Sequence, residues 1–224
     1  MRIKPCWPKE DIAELKRVWS QLDKDSCPKF YNFHMHTNCS DGKLEPLALI
    51  EQAIEIGLKG LAITDHHSIK ACQVVQNYLQ KQNNPDLPCF WSGLEITAQL
   101  IDIEVHILAY GFSIGDESLI PYLQGDRASG DMALAGRVIE NIHNAGGLAV
   151  LAHPVRYNHL PEELIARCHD LGIDGVETFY AYGNPKPWQP SSKETELVMQ
   201  LTQKYNLFNT CGTDSHGLSL LQRI

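Results

Sequence analysis

Two histidines, His34 and His36, stand two residues apart in the stretch FHMHTNCSDG, and Asp41 follows them. Side chains alternate along an extended strand, so His34 and His36 share one face and Met35 points to the other. Neutral imidazoles with a few carboxylates suit zinc, manganese or iron better than an all-oxygen calcium site. The same residue types recur far away in short stretches: His66 in ITDHHS, Glu95 in GLEIT, His106 in EVHILAYG, His153 in LAHPVRY, and Asp214 and His216 in GTDSHG. Nine such side chains exceed what one tetrahedral ion takes. They suit two or three divalent ions that leave positions open for water and substrate. A purely structural role for the whole set is disfavoured, because a buried cluster of unpaired carboxylates is costly.

These residues need elements to bring them together. Strand-like runs fall at 30–35, 60–64, 89–93, 148–152, 174–179 and 207–211, and helix-like runs at 46–56, 69–82, 132–144, 162–171 and 193–205. The alternation implies βα units and a mainly parallel sheet in an α/β fold. Residues 94–112 break the beat as two strands turning near 99–102. About seven strands with helices between them fit a barrel better than a short open sheet. Nearly all the candidate ligands fall at the C-terminal ends of strand runs, and in a βα barrel those ends open on one face. Ahead of the first strand, 8–22 reads as a helix with Pro8 at its start and a stripe of Ile12, Leu15, Val18, Trp19 and Leu22. Residues 1–28 are therefore expected to be a helical extension and linker, and 29–224 the main domain.

The bulk composition narrows the function classes. The chain has 224 residues, 43% hydrophobic and 21% charged, which suits a globular domain with a sizeable core. No apolar run reaches transmembrane length and the first residues lack a signal-peptide core, so the expected compartment is the cytoplasm, with no membrane partner. Seven cysteines without a C-x-x-C pair are expected to be reduced thiols. The formal net charge of −8 disfavours a broad basic surface, so no long nucleic acid duplex is expected as a partner.

The stretches HMHTNCSDG, ITDHHS, GLEIT…EVHILAYG, LAHPVRY and GTDSHG resemble, in order, the motifs of the PHP family (polymerase and histidinol phosphatase domain). The likeness runs from about residue 30 to 217 and is strongest to small stand-alone phosphoesterases of nucleotides or oligonucleotides. It implies a distorted seven-stranded (β/α)7, TIM-like barrel and a cluster of three divalent ions (manganese, zinc or iron). It implies that His34, His36 and Asp214 hold one ion and that Glu95 bridges it to a second held by His106 and His153. Asp41, His66 and His216 would hold the third, with Asp65 orienting a ligand from behind. The implied activity is hydrolysis of phosphomonoesters, or of terminal phosphodiesters of nucleotides and short oligonucleotides, by a metal-activated water. The substrate partner is then a small phosphorylated molecule. Alternatives are a histidinol-phosphate-type phosphatase and a metal-bound, non-catalytic binding module.

Three divalent ions outweigh three ligand carboxylates by about three charges, which would draw a phosphate to an acidic chain. Arg156 in HPVRY is the better candidate for a phosphate clamp and Arg127 the weaker. Glu177 is either an acid at the site or part of a structural ion pair. His67 should point away from His66 and act structurally, and His143, His159 and His169 read as surface residues. Cys39 and Cys211 read as packing residues. The 180–188 loop either stacks a base or forms a rigid turn. One departure from the family pattern stands out: only 112–149 joins the HILAYG and LAHP motifs, where nucleotide-phosphatase relatives carry a sizeable helical insertion.

Overall fold

The computed structural model describes residues 12–224 except Asn83 and Pro85. The beginning of the helix expected over 8–22 lies outside the described residues. From Ile12 the chain forms α1 (Ile12–Trp19), three residues short of the expected end, with Leu15, Val18 and Trp19 buried as the apolar stripe requires. Among the described residues eight strands follow. β1 (Tyr31–Asn32), β2 (Gly60–Ala62) and β3 (Cys89–Trp91) form a parallel sheet. β4 (Gly93–Leu100), β5 (Ile103–Tyr110), β6 (Leu148–Leu151), β7 (Gly175–Phe179) and β8 (Phe208–Cys211) form a second sheet in sequence order. In it β5 is antiparallel to both neighbours and β6, β7 and β8 run parallel.

The expected alternation of strands and helices is present. α2 (Pro46–Ile56), α3 (Lys70–Gln80), α4 (Ala135–Asn144), α5 (Pro161–Asp170) and α6 (Ser192–Tyr205) fall on the expected runs, with Pro46 and Pro161 in the first turns where a missing N–H costs nothing. Helix α4 starts three residues later than its pattern, because 130–133 form a 3-10 turn. The hairpin turns where expected, with Leu100 opposite Ile103.

One extended run serves both sheets. β3 pairs with β2, the chain shifts at Ser92, and β4 then pairs with β5. Ser92 Oγ donates to the Phe112 carbonyl at 2.9 Å. Gly93 lies so close to the next strand that a Cβ there would sit 2.3 Å from the Ile63 carbonyl oxygen, so only glycine fits.

The two sheets touch at both ends of the three-stranded one. Beyond β2, the Glu95 N–H donates to the Asp65 carbonyl (3.2 Å) and the His67 N–H to the Glu95 carbonyl (3.0 Å). Beyond β1, the Phe33 N–H donates to the Cys211 carbonyl, the His36 N–H to the Ser215 carbonyl and the Asp214 N–H to the His34 carbonyl, at 2.8–3.1 Å. One apolar core draws on both sheets, with Phe33, Ala62, Trp91, Leu108, Tyr110, Val150, Phe179 and Cys211 among its members. Trp19 seals it from α1, meeting Tyr110 edge-on at 5.3 Å and Phe33 at 6.1 Å. Met35 points the other way into a separate core with Leu49, Ile50 and Leu61 beneath α2 and α3. No helix among the described residues is long and apolar enough to cross a membrane.

Candidate metal centre

Strand alternation delivers His34 and His36 to one place. Each presents Nε2 to the same carboxylate oxygen, Glu95 Oε2, at 3.0 and 3.1 Å, and to Asp214 Oδ1 at 3.4 and 3.2 Å. All four side chains are essentially sealed from solvent. Gly212 makes this possible: a Cβ there would lie 2.2 Å from the His34 Cβ. His153 and Asp214 adopt left-handed backbone at φ 29° and 53°, an uncommon state for residues with a side chain and one that concentrates at functional sites.

Glu95 divides its two oxygens between two sets of imidazoles. Oε2 faces His34, His36 and, at 3.5 Å, His66. Oε1 faces His106 Nδ1 at 2.6 Å and His153 Nε2 at 3.5 Å. Asp41 lies on the far side of His36, with His216 Nε2 at 3.2 Å and His66 Nε2 at 3.9 Å. Three groups of donor atoms result, each within 4.8 Å of one another: His34, His36, Glu95 and Asp214; His36, Asp41, His66 and His216; and His66, Glu95 and His106. Eight of the nine sequence-derived candidates fall in these groups, and the ninth, His153, adjoins them through Glu95 Oε1 at 3.5 Å. His36 and His66 each fall in two groups, whereas the motif resemblance gives each of them one ion.

The donor chemistry fits a divalent metal. Among the described residues, His36 Nδ1 and His153 Nδ1 are buried without a hydrogen-bond partner, and the close approaches of His36 Nε2, Glu95 Oε1 and His106 Nδ1 within the cluster lack hydrogen-bond geometry. Such atoms are costly to leave unmatched unless something else binds them. Without an ion, the electrostatics of the cluster are those of an imidazole–carboxylate network. Burial alone would lift Glu95 and Asp214, yet the neighbouring imidazoles hold both well below the usual carboxylate range. Burial opposes charge on His36, but the carboxylates of Asp214 and Glu95 carry it up to about 9. His66 is pushed down to about 4, mainly by burial, and is a neutral donor at neutral pH.

The supporting residues sort differently from one another. Glu177 is buried; His34 Nδ1–H donates to its Oε1 at 2.9 Å and the His153 N–H to its Oε2 at 2.8 Å. It therefore fixes which His34 nitrogen is left to face the cluster. Asp65 bonds no candidate ligand side chain. It accepts from Thr37 N–H and Oγ1 (both 2.6 Å) and Ser40 Oγ (2.8 Å), bracing the turn that carries Asp41. Arg156 reaches the cluster, donating to Asp214 Oδ2 at 3.0 Å with its side chain 38% exposed. Arg127 pairs with Glu104 instead. His67 is structural: the Thr97 N–H donates to its Nε2 and its Nδ1–H to the Tyr122 carbonyl, both at 3.2 Å, and its φ of 50° turns it away from His66.

Sequence reasoning missed two residues that bond Asp214. Tyr180 Oη donates to Oδ2 at 2.7 Å and Arg223 Nε to the same oxygen at 2.7 Å. Tyr180 lies in the 180–188 loop, which is bound to the site rather than splayed: Tyr182 Oη accepts from the Val155 N–H at 3.2 Å, and Trp188 is buried in the shared core. Its aromatic and Pro/Gly content marked it as worth attention but not its contacts.

A family model described as the PHP domain matches residues 32–110. The chain is 28% identical to the 5'-3' exoribonuclease Rnm of Salmonella typhimurium over an alignment covering 83% of this chain and 85% of that one. It is 29% identical, with the same coverages, to the 5'-3' exoribonuclease Rnm of Escherichia coli. The first of these alignments runs over 259 residues, more than the 224 of this chain, so the relative carries residues without counterpart here. In fold, the chain matches a protein from Bifidobacterium adolescentis described as a candidate metal-dependent phosphoesterase, with TM-score 0.68 and 23% identity over 85% of this chain and 88% of that one. It also matches an amidohydrolase from Chromobacterium violaceum with bound sulfate, with TM-score 0.68 and 18% identity over 84% and 87%. The motifs agree with this match: over residues 32–110 the chain is similar to the PHP domain.

Proposed function

We propose that the chain is a metal-dependent phosphoesterase that hydrolyses phosphomonoesters or terminal phosphodiesters of nucleotides and short oligonucleotides in the cytoplasm. The observation that carries this reading is Glu95, a buried carboxylate whose two oxygens face two separate sets of imidazoles, as a bridge between two ions requires. The names of the exoribonuclease relatives support the nucleotide class. The two sheets, joined at both ends of the smaller one and sharing one core, are read as the two sides of a distorted barrel of the PHP type.

His34, His36 and Asp214 would hold one ion, with Glu95 bridging to a second at His106 and His153. Asp41, His66 and His216 would hold a third, with His36 close enough to share it. When bound, such ions acidify a water toward neutrality and offset phosphate charge. The remaining work falls to the chain. His34, His36, Glu95, Asp214 and His153 form the sealed floor, whereas His66, His106 and His216 are 21–29% exposed and Asp41 54%. Substrate therefore enters over His66, His106 and Asp41. Arg156, half-exposed beside Asp214, stands where a guanidinium can hold a phosphate in two-pronged fashion. Glu177 keeps His34 in one tautomer throughout, and Asp65 holds Asp41 at the rim.

The test is release of phosphate or mononucleotide from a panel of nucleoside phosphates, dinucleotides, short RNA and amino-alcohol phosphates with manganese, zinc or iron(II) added. Turnover is expected on nucleotide or short-RNA substrates. Turnover only on amino-alcohol phosphates would overturn the substrate class, and none on any substrate by metal-loaded protein would mark a binding module.

A further inference from the structure

Asp214 has two unequal oxygens. Oδ1 faces His34, His36 and His216 at 3.2–3.5 Å. Oδ2 accepts from Tyr180 Oη (2.7 Å), Arg156 Nη1 (3.0 Å) and Arg223 Nε (2.7 Å). Three donors, two of them cationic, saturate an oxygen that offers about two lone pairs. Only Oδ1 is left to meet an ion, and it is aimed by the donors behind it.

Arg223 differs from the other two donors in how it is held. Its own carbonyl accepts the His216 N–H at 2.7 Å, so one residue grips Asp214 by its side chain and His216 by its backbone. Residues 217–224 are anchored in turn. Leu220 is fully buried among Met35, Leu49 and Leu61. Gln52 on α2 donates to the Leu218 carbonyl (3.1 Å) and accepts from the Leu220 N–H (2.6 Å). Asn32 on β1 donates to the Leu220 carbonyl at 3.2 Å. These bonds tie the segment to the same strand and helix that flank His34 and Asp41.

We propose that residues 217–224 form a strap that sets Asp214 and His216 as metal ligands. Arg223 is the positioning residue that holds Asp214 to one-oxygen coordination. This rests on the metal reading above and adds to it a residue outside the ligand motifs. The Arg223 side chain bonds only Asp214 among the ligands, and its backbone bond to His216 survives a change of side chain, so that change should leave the other two groups assembled. Asp214 would keep Tyr180 and Arg156 but lose the cation that ties its carboxylate to the strap, so Oδ1 would be aimed less firmly.

The experiment is calorimetric titration of the chelator-treated 224-residue chain with Mn²⁺, for wild type, Arg223→Ala and Arg223→Gln, beside thermal melts in chelator. Outer-shell partners of metal ligands typically carry ten- to hundredfold of affinity. Mn²⁺ affinity is expected to fall about tenfold or more in Arg223→Ala. Arg223→Gln, with a shorter side chain and one amide donor, should fall between the two. Its folding in chelator keeps the test open if the alanine variant does not fold. Wild-type affinity in a folded variant would overturn the strap while leaving the metal reading intact. A wild-type chain that takes up no Mn²⁺ would remove both.

Discussion

At the scale of single residues, Glu95 organises the site. Its oxygens are 2.6–3.5 Å from five imidazoles and it is 1% exposed, so its charge is compensated locally or not at all. Glu95→Gln keeps the shape and removes the charge. It is expected to abolish turnover and lower metal content, checked by elemental analysis after gel filtration; undiminished metal would show that Glu95 is no bridge. Protonation gives an independent handle once ions are removed by chelator. Glu95 and Asp214 are held low, so their contribution to stability is present above the ordinary carboxylate range and fades as pH falls. His36, carried up to about 9, contributes below about pH 6.5 and loses that contribution as pH rises through its folded value. His66, held down to about 4, costs stability as pH falls below about 6.5, so the chelated protein should be most stable near pH 6.5 and weaken toward pH 9.5. Urea midpoints that stay flat from pH 6 to 9.5 would contradict this network.

At the scale of elements, the site depends on close approaches that permit no substitution. Gly212→Ala would press a methyl group against the His34 Cβ, and overpacking of this kind costs about 1–3 kcal/mol. A lower melting temperature with loss of metal is expected; a variant that binds metal normally would show that His34 has room to shift. Trp19 on α1 seals the core beneath His34 through Phe33 and Tyr110, whose hydroxyl donates to the Phe33 carbonyl at 2.8 Å. Trp19→Ala should cost about 3–5 kcal/mol, read from the denaturation midpoint. Much of this level is legible in the sequence. The period of apolar residues marks α2 residue for residue, and the two-residue period puts His34 and His36 on one face. The split of 89–100 between two sheets is not legible, because it follows from how near Gly93 comes to Ile63. Nor is Arg223, whose partner is chosen by a return of the chain that only the buried Leu220 and the Gln52 and Asn32 bonds define.

At the scale of the whole molecule, an acidic chain collects six of its ten histidines at one mouth. The motifs in the sequence name the nine side chains that the structure brings near one another; most sit near the end of a strand run, whereas His106 lies within β5. How the members divide into groups of donor atoms is set by distances that no spacing encodes, so His36 and His66 each stand in two groups. A metal that binds only the folded chain stabilises it by about 2.7 kcal/mol at a hundredfold excess over the dissociation constant. Adding Mn²⁺ to chelated protein should thus raise the melting temperature by several degrees, and Glu95→Gln should blunt the rise. The most direct test of the central claim is the metal stoichiometry of the folded chain, measured by elemental mass spectrometry after Mn²⁺ loading and desalting. About two to three ions per chain are predicted for wild type. Less than one ion per chain in folded, loaded protein would contradict the account.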